Sequence, residues 1–152
     1  MIRITQLLSL SLLCVLYGQQ AAAQDHAIIK PSDLKWADAP SITGAQIAVI
    51  EGKMSEAGPF TARLKFLKDS KIPPHFHSTI EHVTVLSGTI NMGVGDKLDS
   101  TKTMPLGTGS VGIMQAGTHH FAWMSEDTII QLHGTGPWTV TYVDPADDPR
   151  KK

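Results

Sequence analysis

The sequence predicts an all-β domain closed as a barrel or jelly roll, and three observations carry that expectation. Short runs rich in β-branched and aromatic residues recur between Gly, Pro, Asn and Asp throughout the chain after residue 43. Phe60, Ala62, Leu64 and Phe66 alternate with Thr61, Arg63 and Lys65, which gives a strand one apolar and one polar face. Beyond the N-terminal region no segment shows a convincing helical period. Several short strands in one domain leave many unpaired edges unless the sheet closes on itself.

The first 24 residues stand apart from this pattern. Met1-Ile2-Arg3 carries a positive charge, Ile4 to Tyr17 is almost wholly apolar, and Ala21-Ala22-Ala23 is a small-residue cleavage context. Such a stretch is too short for a permanent membrane helix and reads as a signal peptide cleaved after Ala23 or Gln24. The expected location is periplasmic or secreted, with no membrane attachment after cleavage. The single cysteine, Cys14, falls in the removed part behind Leu13, so the mature chain has no thiol. Its fold then rests on its core without disulfides, and a metal site must use nitrogen and oxygen ligands or a thioether.

Residues 25–43 form a polar, proline-punctuated arm in which Ile28, Leu34 and Trp36 are the expected anchors onto the barrel. The barrel domain is placed at residues 44–144, with strands at 46–51, 60–67, 81–86, 89–94, 110–114, 120–124, 128–133 and 139–143. Ser87-Gly88 separates two of these runs at hairpin distance, and Gly107 to Gly109 and Ala116-Gly117 supply further turns. Residues 145–152 read as a solvated tail with an Asp–Arg pair worth little at the surface. The formal net charge of −1 is spread over both signs, with only Arg150-Lys151-Lys152 clustered. That distribution excludes the basic stripe nucleic-acid binding requires.

Chemistry concentrates in PPHFHSTIEH, residues 73–82. Along an extended chain His75 and His77 project together, Glu81 keeps their parity, and His82 points away. If the chain stays extended, the three enter the barrel from neighbouring levels of one wall, a bulge near Ser78-Thr79 being able to adjust Glu81, with Pro73-Pro74 placing the start at a rim or bend. A second segment, residues 109–124, returns with His120, Ala122 and Met124 on one face and His119, Phe121 and Trp123 on the other. Small Ala122 suits a pocket wall, so His120 is chosen as the fourth ligand. His82 and His119 take structural or supporting roles, each able to replace its neighbour if a bulge shifts the register. Met124, Gln131 and His133 are expected to shape the pocket, although Ile130 and Leu132 are equally able to be the inward pair.

These two segments resemble the cupin superfamily, specifically small single-domain cupins of the type-2 or RmlC-like kind. The first cupin motif has His75, His77, Glu81 and Gly88 at its spacing, and the second has Gly109, Gly117 and His120 in register. Asp69 stands where the first motif usually opens with Gly, Gln115 replaces a Pro and Met124 replaces an Asn. The resemblance implies a double-stranded β-helix, or jelly-roll, barrel holding one divalent ion on His75, His77, His120 and Glu81. It also implies pairing of two copies through edge strands, with the 25–43 arm as a crossing segment.

Neutral imidazoles suit Fe, Mn, Ni, Cu and Zn, and a carboxylate biases the set toward octahedral metals with about two positions left open. The expected function is therefore an exported metal-dependent oxidoreductase, dioxygenase-like, acting on a small molecule. Glu81 is the sole candidate acid or base. The alternative is a non-catalytic carrier or sensor that binds a metal and a small ligand.

Overall fold

Alternation along residues 60–66 sends Phe60, Ala62, Leu64 and Phe66 into the core, where none is more than 3% exposed. Burial of such side chains contributes about 1.5–3 kcal/mol each for the larger ones. The computed structural model describes residues 26–152. The expected signal peptide, residues 1–24, lies outside the described residues.

Eleven strands occur among the described residues. They are β1 (Ala37–Asp38), β2 (Gln46–Glu51), β3 (Gly58–Phe66), β4 (Lys71–Phe76), β5 (Glu81–Ser87), β6 (Thr89–Val94), β7 (Met104–Gly107), β8 (Val111–Met114), β9 (His120–Met124), β10 (Thr128–Gly136) and β11 (Thr141–Tyr142). Two antiparallel sheets face each other, a six-stranded one ordered β1-β2-β3-β10-β5-β8 and a five-stranded one ordered β11-β4-β9-β6-β7. No helix among the described residues is long and apolar enough to cross a membrane.

Eight of these strands lie where the sequence places them; β1, β4 and β7 are additional. Residues 71–76, expected as extended chain at a rim or bend, form a strand inside the five-stranded sheet, between β11 and β9. The two prolines are accommodated because the β4–β9 ladder shifts register between Ile72 and His75, so no ladder bond is asked of their missing N–H groups.

Ser87-Gly88 is likewise not a hairpin turn. β5 and β6 belong to different sheets, and Gly88 is the corner at which the chain passes from one to the other. Its φ of 78° and the close Asp127 carbonyl, with which a Cβ would collide, leave no room for another residue. Asp69 holds φ 65°, the only positive-φ non-glycine position among the described residues. The conformation explains why the related motif prefers Gly there, and Asp is among the few side chains that tolerate it. Its N–H donates to the Met124 carbonyl at 2.9 Å, tying the approach to β4 onto the end of β9.

The arm anchors differently from expectation. Ile28 is 81% exposed and Leu34 and Trp36 are half-buried, the latter under the Lys65 ammonium at 4.7 Å. Ala39 and Ile42 are the residues that enter the core, and the Tyr142 hydroxyl donates to the Ser41 carbonyl at 2.7 Å. At the other end Arg150 donates to both carboxylate oxygens of Asp148, at 2.7 and 2.9 Å, and to the Val140 carbonyl at 2.8 Å.

Candidate metal centre

Three imidazoles meet at one place inside the barrel. His75 closes on β4, His77 follows its last residue, and His120 opens the neighbouring β9, directly opposite His75. Their ring centroids lie 4.2 Å (His75–His120), 4.9 Å (His75–His77) and 5.0 Å (His77–His120) apart. One ring nitrogen from each falls within 4.8 Å of the others, and all three residues are buried.

Backbone carbonyls set which nitrogen faces inward. The Nδ1 of His75 lies 2.8 Å from the Pro73 carbonyl, that of His120 lies 2.9 Å from the Thr118 carbonyl, and that of His77 lies 2.8 Å from the Thr139 carbonyl. A carbonyl oxygen only accepts, so each Nδ1 carries the proton and donates it, leaving Nε2 with a bare lone pair. This is the arrangement in which histidine ligates a metal through one nitrogen while the other fixes the ring.

Glu81 arrives from the opposite wall. The sequence reading placed it on the same wall as His75 and His77; the chain instead crosses between Phe76 and Glu81 from the five-stranded to the six-stranded sheet. One carboxylate oxygen lies 3.4 Å from His77 Nε2 and the other 3.4 Å from His120 Nε2. Two lone pairs facing a carboxylate repel unless a proton or a cation lies among them. His77 Nε2 is buried and has no hydrogen-bond partner, an orphan that a bound cation would satisfy.

The charge states suit the same conclusion. Burial first, then the His120 and His77 rings, push the His75 pKa down from 6.5 to about 3, so that imidazole is neutral and ready to ligate. Burial opposes the Glu81 charge, but the facing His120 and then His77 rings outweigh it and hold the carboxyl down at about 2 when a positive charge, a proton or a bound cation, lies between them. Three neutral nitrogens and one carboxylate oxygen, with no thiolate, fit a divalent transition ion.

A cavity of about 30 Å³ adjoins the cluster. Besides His75, His77 and Glu81 it is lined by apolar side chains, among them Ile42, Met92, Ala122 and Trp138. Trp138, itself part of the buried core, stacks on His77 at 4.2 Å and 20° and walls the site.

Two expected pocket residues face elsewhere. Ile130 and Leu132 are the inward pair of β10, while Gln131 accepts a hydrogen bond from Arg63 at 3.1 Å on the outer face. His133 is exposed and stacks on His82, its partner across the β5–β10 ladder, at 4.8 Å and 9°. Met124 does point inward, but it fills the core beyond the cavity rather than lining it. His119 lies outside the cavity, with Nδ1 2.6 Å from an Asp96 oxygen and its ring on Phe76.

The two-sheet barrel and the inward histidine cluster define the chain as a cupin. It belongs to the ChrR cupin-like domain family, whose model matches residues 24–139. Among solved structures it is similar to the polyketide cyclase RemF of Streptomyces resistomycificus, with a TM-score of 0.67 and 16% identity over 83% of this chain and 91% of that one. An acetylacetone dioxygenase of Acinetobacter johnsonii gives 0.62 and 14%, covering 86% of this chain and 85% of that one. The anti-sigma ChrR of Rhodobacter sphaeroides, in complex with SigE, gives 0.52 and 18%, covering 70% and 51%. No curated protein matches the chain. At these identities the structural likeness establishes the fold.

Proposed function

We propose that the chain is an exported metal-dependent oxidoreductase of the dioxygenase type, with His75, His77, His120 and Glu81 holding one divalent ion, Fe or Mn, beside a small substrate. One observation carries this reading: three backbone carbonyls turn three Nε2 lone pairs toward a point that the Glu81 carboxylate reaches from the other sheet. The ion would supply activation of dioxygen or polarisation of a chelated substrate. The chain itself fixes the three ring tautomers, keeps a negative charge at Glu81, and excludes bulk water with Trp138 and the apolar lining.

The test is elemental analysis of protein taken from its own periplasm, followed by oxygen uptake with a small β-diketone, the substrate class named for a dioxygenase sharing the fold. Bound Fe or Mn with substrate-dependent uptake supports the reading; a loaded protein inert toward diketones and related enolisable acids removes it. Export predicts a mature mass beginning at Gln24 or Asp25, and pairing of two copies predicts a dimer mass in light scattering.

A second reading, a non-catalytic carrier or sensor, is favoured by the cavity itself. At about 30 Å³ it has space for about two waters, and Glu81 is the only acid or base lining it besides the histidines. Tight ligand binding without product would select it.

A further inference from the structure

β7 and β8 are each one edge strand of their sheet, and among the described residues no ladder joins them. At this seam an apolar surface groove of about 270 Å³ opens, lined by Val94, Met104, Leu106, Val111, Gly112 and Met114 together with Met92. Met92 is the only residue that lines both this groove and the cavity beside the histidines. It lies opposite Ala122 in the β6–β9 ladder, and Ala122 also walls the cavity. One flexible thioether side chain thus borders both the interior cavity and the surface groove. Methionine has three rotatable bonds and repacks without strain. Gly112 keeps space for that movement, since a Cβ there would meet Met92 Sδ at 3.2 Å and Leu106 Cδ1 at 3.5 Å.

We propose that the seam between β7 and β8 is a side route by which a small apolar molecule, dioxygen in the reading above, reaches the histidine cavity, with Met92 as its gate. The identity of the gas rests on that proposed function; the route does not. The groove presents no charged or hydrogen-bonding side chain, so it favours an uncharged diatomic over water or an anionic substrate.

Xenon, which reports apolar space without needing the metal, is the first probe. Crystals under xenon pressure are expected to show the gas in the groove and the cavity of the unaltered chain, and in the groove alone for Met92→Phe. The second probe is nitric oxide binding to Fe(II)-loaded protein, whose association rate is expected to fall about tenfold in Met92→Phe, a barrier rise of about 1.4 kcal/mol. Gly112→Ala, which crowds Met92 from the facing sheet while leaving the core residue in place, is expected to slow it in the same direction. Xenon in the cavity of Met92→Phe, or nitric oxide rates unchanged in both folded variants, overturns the route. Unaltered protein that takes up xenon behind Met92 but consumes no oxygen overturns the dioxygenase reading and leaves the route standing.

Discussion

His77 and His82 lie five residues apart, yet one joins a buried cluster and the other lies on the outside of the six-stranded sheet. Both have an aromatic ring stacked on them, Trp138 for His77 and His133 for His82. The difference lies in the nitrogens. His77 has its Nδ1 committed to the Thr139 carbonyl and its Nε2 aimed at two other imidazoles and a carboxylate. His82 has a buried Nδ1 with no hydrogen-bond partner among the described residues. A ligand histidine is therefore distinguished by what fixes its far nitrogen, more than by burial or stacking.

The comparison is sharpest in metal content. His77→Ala is expected to abolish stoichiometric metal and His82→Ala to leave it intact, read by elemental analysis of both variants purified in parallel. Equal metal in the two would break the distinction outright.

Next in size is the effect of stripping the ion. At about a thousandfold excess over Kd a bound ion stabilises by about 4 kcal/mol. For a domain of this size a chelator should lower Tm by about 10 °C. Thermal melts with and without chelator check this, and the His77→Ala protein should show no such difference.

The pH profile of the metal-free chain follows from the interior pair. His75 stands at about 3 against an ordinary 6.5, and Glu81 at about 2 against 4.5. Both are depressed, so the unfolded chain binds protons more readily, and stability that is complete above pH 6.5 is lost as pH falls toward 3 and then 2. Urea unfolding across this range should show that decline, and Glu81→Gln should flatten the part below pH 4.5. A profile level from pH 7 to 3 would contradict the assigned charge states.

The smallest expected effect is at His82. His82 is half-buried with an unpaired Nδ1, so truncation to alanine loses the stacked ring but also removes an unsatisfied polar group, and stability should change by no more than about 1 kcal/mol. A larger loss in denaturant titration would give the stacked His82–His133 pair a structural role of its own.

Much of this centre was legible because strand parity carries it. The spacing of His75 and His77, and of His120 and Ala122, survives folding unchanged, and the three histidines come together as a buried triad. What parity could not convey is where a chain leaves one sheet for another. Extended-chain parity puts Glu81 on the wall of His75, since Ser78-Thr79 leaves room for a bulge but nothing there marks a crossing, and Ser87-Gly88 reads as a hairpin because a corner and a turn call for the same glycine. β4 was obscured by Pro73-Pro74, whose local veto on ladder bonds is evaded by a register shift that only the partner strand reveals. For Gln131 and His133 the clue was present: Ile130 and Leu132 continue the apolar parity of Thr128, and burial of carbon outweighed the attraction of another histidine near the site.

The crossing between Phe76 and Glu81 has a mechanical consequence. His75 and His120 hang from one layer of the sandwich and Glu81 from the other, so an ion held by all of them is a rivet through both. Loading would then restrain breathing of the layers, and amide hydrogens at the starts of β5 and β9 should exchange with solvent more slowly, making occupancy readable from backbone motion even when no reaction follows.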